Sequence, residues 1–164
     1  SDLQTRVYSR SGLSEALKRQ PIAENTLLTV MVLDIDGFKQ VNDRWGHECG
    51  DCMLAQFAQQ VRQLVGEEGM VARIGGEEFA VAALTSSGQE AQLLAEKIRQ
   101  GIEAQTFTWG QSKIQLTISM GLESQPLGAA RITDLFNQLL MAADDYMIQA
   151  KNAGRNRIFT QKMA

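Results

Sequence analysis

The sequence predicts an α+β fold: a central, mostly antiparallel sheet with helices packed on it. Three observations carry the prediction. Segments with apolar residues at helical spacing alternate with short apolar strands in the order α-β-α-α-β-β-α-β-α-β, so helices interrupt a largely antiparallel arrangement. Residues 27–36 read Leu-Leu-Thr-Val-Met-Val-Leu-Asp-Ile-Asp, a nearly unbroken branched run of the kind found in strands covered on both faces. Two further strands, 70–74 and 78–84, flank Gly75-Gly76-Glu77 and form a hairpin. At 164 residues, 44% hydrophobic and 21% charged, the chain fits one domain whose core needs neither disulfides nor structural zinc. A disordered tail, a collagen-like fibre and a coiled-coil rod are excluded by the same composition.

Each element has its own local reason. Residues 11–20 place Leu13, Ala16 and Leu17 on one helical face, and Pro21 closes that helix. After the strand at 27–36, Phe38, Val41 and Trp45 suit a short helix that stops at Gly46. Asp51 reads as the N-cap of the next helix, with Leu54, Phe57, Ala58, Val61 and Val65 inward, and Gly66 and Gly69 end it. Residues 87–104 turn Ala91, Leu94, Ala95, Ile98 and Ile102 inward as a helix. Ile114, Leu116, Ile118 and Met120 alternate with polar residues, which predicts one half-buried strand. A long helix over 132–151, capped near Thr133, ends at Gly154, and 157–160 forms a last short strand.

The net charge is −3, so the domain lacks the general electrostatic footprint of a duplex nucleic-acid binder. An anionic ligand would need a local cluster of cations, or a metal. The longest apolar run, 26–33, is too short to span a bilayer, and no signal peptide stands at the start. The chain begins with Ser1, which reads as a domain cut from a longer protein of a reducing, cytoplasmic compartment. Cys49 and Cys52 have the CxxC spacing but no second pair, and His47 is the one histidine, too few ligands for tetrahedral zinc. They read as two incidental thiols. P-loop and G-x-G-x-x-G motifs are absent, as is a nucleophile elbow.

Three features could carry chemistry. Asp34 and Asp36 end a buried strand; either they cap local backbone N–H groups or they hold a hard cation. Gly75-Gly76-Glu77-Glu78-Phe79 permits close backbone approach or positive φ, but glycine pairs at hairpins are ordinary, and taken alone the segment reads as a solvated acidic hairpin tip. Lys151, Arg155 and Arg157 offset a helix dipole, or they clamp phosphate.

Taken in order, the segments form a pattern. Asp34-Ile-Asp-Gly-Phe-Lys-Gln-Val-Asn-Asp-Arg-Trp-Gly-His-Glu-Cys-Gly-Asp51 resembles the D-x-D-x-F-K-x-x-N-D-x-x-G-H-x-x-G-D signature of GGDEF-domain diguanylate cyclases. Arg73-Ile-Gly-Gly-Glu-Glu-Phe79 is similar to their R-x-G-G-[DE]-E-F, Thr117-Ile-Ser-Met-Gly121 to their T-x-S-x-G, and Ala150-Lys-Asn-Ala-Gly-Arg-Asn156 to their A-K-x-x-G-R-N. Residues 2–10 resemble a worn copy of the opening D-x-L-T-x-L-x-x-R. The likeness covers nearly the whole chain.

The resemblance implies a nucleotidyl-cyclase, ferredoxin-like sheet flanked by helices. It implies condensation of two GTP molecules into cyclic di-GMP and two pyrophosphates, with one GTP presented by each protomer of a homodimer. By the same likeness Asp34 and Glu77, with the Ile35 carbonyl, would ligate Mg²⁺ or Mn²⁺, two ions per active site. Glu78 and Glu77 would be catalytic, with Glu78 assisting the 3′-hydroxyl or holding the second metal. Asn42 and Asp51 would read the guanine edge, because a carboxylate accepts from N1–H and the exocyclic amine. Lys151 and Arg155 would hold the β- and γ-phosphates, helped by Lys39 and the N–H groups near Phe38. His47, although part of the motif, reads as a structural residue hydrogen-bonded in its turn. A sensory or dimerisation region would precede the domain in the parent protein, which could be membrane-anchored. No nucleic-acid or membrane contact by the domain is implied.

Two departures stand out. Many relatives carry R-x-x-D before the hairpin, where product binds and inhibits; here Gly66-Glu67-Glu68-Gly69 has neither residue and is acidic, so no inhibitory product site is expected. Tyr146-Met-Ile148 replaces the usual A-L-Y on a packing helix.

Overall fold

A computed structural model describes residues 7–161 of the chain. Its centre is strand β2 (Leu27–Ile35), in which every residue after Leu27 is buried. β2 runs antiparallel to β4 (Glu78–Thr85) on one side and to β7 (Ile118–Pro126) on the other. β3 (Met70–Arg73) joins β4 in the expected hairpin, and β1 (Tyr8–Ser9) and β8 (Arg157–Phe159) close the two edges in parallel. The sheet order is β1-β3-β4-β2-β7-β8, a mixed sheet with mostly antiparallel pairs. The predicted α+β class and the burial of the 27–36 run on both faces both hold.

Alternation along the strands sorts the core into two layers. Met31, Leu33 and Ile35 of β2 face helices α3 (His47–Val65) and α4 (Gly88–Ala104). There Phe57 meets Phe79 edge-on, ring centroids 5.1 Å apart, a contact worth about 1 kcal/mol beyond burial. Leu28, Val30 and Val32 face α1 (Arg10–Lys18) and α5 (Ile132–Asn152). Both faces are therefore apolar, which is why the run reads as continuous. α2 (Phe38–Trp45) packs beside α3 at the end of β2.

Several expectations are corrected. Asp51 is not an N-cap: α3 begins at His47, directly after α2, and Asp51 lies inside it on the surface. Gly46 makes the break at φ 93°, with its N–H closing α2 on Asn42 O at 2.8 Å and its carbonyl accepting from Gly50 N at 3.1 Å. Thr133 does not cap α5, whose N-cap is Arg131 without a side-chain bond. The single strand expected through Ile114 to Met120 is two. β6 (Ser112–Ile114) pairs with β5 (Phe107–Trp109) in a separate hairpin, and β7 starts at Ile118. The alternation carries across the break because Ile114, Leu116, Ile118 and Met120 all enter the α3–α4 core. β7 is also more than half-buried, since Ser119, Gly121 and Glu123 lie under α5. Gly121 makes that possible: a Cβ there would stand 1.8 Å from Ala143 O. The helix over 11–20 is Arg10–Lys18, capped by Ser9 Oγ accepting from Gly12 N at 3.1 Å. Most of the worn opening motif, residues 2–6, lies outside the described residues.

Among the described residues no helix is long and apolar enough to cross a membrane. Cys49 and Cys52 are free; Cys49 is buried, which pushes its thiol up, and Cys52 Sγ accepts from Gln56 Nε2 at 3.1 Å.

Candidate active site

The site lies where the α1–α5 side of the sheet runs out of apolar residues. Asp34 follows Val32 on that side, and its register partners are Glu78 on β4 and Ser119 on β7. The last apolar contact of α5 with this layer is Met147, and one turn further Lys151 reaches the row. Lys151 Nζ donates to Asp34 Oδ2 at 2.6 Å. Asp34 is 4% exposed, and its Oδ1 is buried with no hydrogen-bond partner.

The surrounding charge is strongly acidic. Burial pushes the Asp34 carboxyl above the ordinary range; Lys151 pulls it back, and Asp36 and Asp144 push it further up. Glu77 is raised by burial and then by the Asp34 charge. Glu78 is raised by burial, then by Asp144 and Asp34. Three carboxylates of the hairpin and β2, with Asp144 of α5, thus crowd around the Lys151 ammonium. Asp144 belongs to none of the sequence motifs. Its signal is the spacing of seven from Lys151, two helical turns on one face of α5.

Asp36 does something different. It lies beyond the end of β2 and accepts from Thr117 Oγ1 at 2.8 Å, Ser119 Oγ at 2.6 Å and Asn156 N at 2.9 Å. Its own N–H donates to Thr117 O at 2.9 Å. The two alternatives left open for the pair are therefore divided: Asp36 is the backbone and hydroxyl acceptor, and Asp34 keeps an oxygen free.

The hairpin glycines do not need positive φ, and neither adopts it. Gly76 stands in open space, which leaves the backbone bare beside Glu77. Arg73 fixes this turn by donating from Nε to Gly75 O at 3.2 Å and from Nη2 to Gly76 O at 2.6 Å. At the opposite end, Gly154, Arg155 and Asn156 turn the chain after α5 with φ of 125°, 67° and 47°. Arg155 N donates to Ala150 O at 3.0 Å, which closes α5 and leaves the Arg155 side chain exposed.

The remaining expected residues surround this row. Gly37, at φ 68°, starts α2 without a side-chain cap, so the N–H groups near Phe38 and Lys39 are unclaimed by one; Lys39 is exposed. The Phe38 and Ile35 side chains are buried in the α3 core. Asn42 of α2 lies over Gly50 of α3: a Cβ at Gly50 would stand 1.8 Å from Asn42 Oδ1. Asp51 is the next residue, exposed. His47 is exposed at the first residue of α3, and no hydrogen bond ties its ring into a turn among the described residues, contrary to expectation.

Among the described residues no three His, Cys, Asp or Glu side chains converge tightly enough to hold a metal by themselves. The donors nevertheless fit a hard divalent cation. A buried carboxylate oxygen without a partner faces further carboxylates, and Mg²⁺ normally completes its shell with water and phosphate.

Residues 1–157 match the family model described as diguanylate cyclase, GGDEF domain. The probable diguanylate cyclase DgcF of Escherichia coli K12 is 49% identical over 161 residues, which is 98% of this chain and 51% of that protein. The chain thus spans about half the length of this curated relative. Among solved structures, the GGDEF domain of YfiN (TpbB) from Pseudomonas aeruginosa matches with a TM-score of 0.80 at 31% identity, over 95% of this chain and 97% of that one. An active GGEEF domain of a diguanylate cyclase from Vibrio cholerae matches with a TM-score of 0.75 at 27% identity, over 97% of this chain and all (100%) of that one. On the strength of its sheet, its motifs and these likenesses, the chain belongs to the diguanylate cyclase family of GGDEF domains.

Proposed function

We propose that this domain condenses two GTP molecules into cyclic di-GMP, each 3′-hydroxyl attacking the α-phosphorus of the other GTP with loss of pyrophosphate. The observation that carries the reading is the buried, unpartnered Asp34 Oδ1 beside Glu77 and Glu78. That is a costly arrangement for a fold and a useful one for a cation. A bound Mg²⁺ or Mn²⁺ pair would neutralise the triphosphate and polarise the attacked phosphoryl group. Asp34, Glu77 and the Ile35 carbonyl would hold it. Glu78, whose carboxyl is pushed above its ordinary range by burial and by Asp144 and Asp34, would accept the 3′-hydroxyl proton. Asp51 and Asn42 would select guanine, and Lys151, Arg155, Lys39 and the N–H groups near Phe38 would hold the phosphates. Glu at position 77 supports rather than weakens the reading, because the Vibrio cholerae relative carries the GGEEF form and is described as active.

The reaction joins two equal halves, so the active species would be a homodimer with one GTP per protomer. The domain would work in the cytoplasm, under a sensory or dimerisation region of its parent protein. Incubation at high protein concentration with GTP and Mg²⁺, beside Glu77→Ala and Glu78→Ala, tests the reading by chromatography. Cyclic di-GMP from the wild type alone is expected, with specific activity rising with protein concentration. Tight GTP binding without product, even after forced dimerisation, would make the domain a GTP-binding regulatory module instead.

A further inference from the structure

The turn after α5 is held from two sides. Asp36 takes the Asn156 backbone N–H at 2.9 Å. The Asn156 side chain is taken by α4: Arg99 Nη1 donates to Asn156 Oδ1 at 2.8 Å, and Asn156 Nδ2 donates to Glu103 Oε2 at 2.7 Å. Arg99 is fixed in turn by Glu96, which accepts from its Nε at 2.7 Å, and by Glu103 Oε1 at 3.2 Å from Nη1. Its side chain is 16% exposed, at the edge of the buried face of α4 beside Ile98 and Ile102.

This amount of fastening has a reason. Arg155 and Asn156 are consecutive non-glycine residues at positive φ, 67° and 47°. Such residues cost on the order of 1 kcal/mol or more each and persist only where the surroundings over-determine them. The Asp36 bond restrains the backbone of the turn, and the Arg99–Glu103 fork restrains its side chain. Arg155 directly precedes Asn156 in this turn, four residues after Lys151 and past the end of α5.

We propose that Arg99 is a positioning residue for the nucleotide: it locks the left-handed turn that presents Arg155 to the β- and γ-phosphates, without touching substrate itself. The inference rests on the GTP-binding reading of the same site. A mere brace between α4 and β8 would predict lost stability with no preference for ligands bearing those phosphates.

The test compares wild type, Arg99→Met and Arg99→Lys. The probes are a GTP analogue with methylene in place of the α,β-bridging oxygen, and GMP, which lacks the β- and γ-phosphates; both are titrated with Mg²⁺. Exchange of the Asn156 amide is followed by NMR in ligand-free protein. In Arg99→Met the analogue should bind roughly tenfold more weakly, the loss of one charge-assisted bond, with GMP affinity unchanged. The Asn156 amide should exchange faster while β2 amides keep their protection. Arg99→Lys should recover part of the affinity. Unchanged analogue affinity in Arg99→Met, or an equal loss for the analogue and GMP, would overturn the proposal while leaving the cyclase reading intact. A wild type that binds neither probe would overturn both.

Discussion

Asp34 and Asp36 stand two residues apart and are held in opposite ways. Three donors converge on Asp36, whereas one oxygen of Asp34 is buried with no partner. Asp36 is thus fully engaged by the fold, whereas Asp34 is paired with Lys151 through one oxygen and left unpartnered at the other. Asp36→Ala should cost about 2–4 kcal/mol, because it leaves the buried Ser119 hydroxyl and the Asn156 N–H unpaired. Asp34→Asn should leave stability unchanged or slightly raised in metal-free buffer while abolishing product, since it removes one anion from a crowded row. Urea unfolding checks both. A loss above about 2 kcal/mol in Asp34→Asn would mean that its carboxylate maintains the fold.

Gly121 should be among the least replaceable residues of the sheet. A Cβ there meets Ala143 O at 1.8 Å and Met147 N at 2.4 Å, both backbone atoms of α5. Gly121→Ala must lift that helix and should cost about 3 kcal/mol or more. Guanidinium unfolding of the variant is the check, and a loss under about 1 kcal/mol would refute the packing argument.

Gly50→Ala should behave differently. The obstacle is the tip of a side chain, Asn42 Oδ1, which can swing away. Alanine also gains about 1 kcal/mol of helix propensity, so the melting temperature should hardly move. The displaced Asn42 should instead raise KM for GTP by roughly tenfold, the loss of one hydrogen bond to a base. Asp51→Ser, one residue on, should narrow the preference for GTP over ATP. A GTP/ATP ratio unchanged in Asp51→Ser would remove the account of base selection.

Product inhibition through the loop before the hairpin should be absent. Residues Gly66–Glu68 form a single 3₁₀ turn with Glu67 and Glu68 exposed, and Lys97 is paired to Glu68 at 3.3 Å. An anionic dinucleotide meets repulsion there. Initial rates with cyclic di-GMP added at low micromolar concentration should match those without it. Inhibition that Glu67→Ala altered would contradict this.

The parts of the fold legible in the sequence are those where one pattern has one meaning. The 27–35 run is apolar on both sides because helices cover both sides, and its place at the centre of the sheet follows. The errors fall where one pattern serves two structures. Asp51 reads as a cap, yet a glycine at φ 93° separates two helices without one. The alternation from Ile114 to Met120 spans a small hairpin and the main sheet, because both feed the same core. Asp34 and Asp36 are equivalent in sequence; only the burial of one and the partners of the other tell them apart. Asp144 and Arg99 carry no motif of their own and become visible through what α5 and α4 bring them against.

The contacts that complete the site join distant parts of the chain: Lys151 to Asp34 across 117 positions, and Asn156 to Asp36 across 120. A polypeptide emerging from the ribosome therefore exposes its acidic strand end long before the cation and the turn that complement it exist. These pairings can form only once residues through Asn156 have been translated.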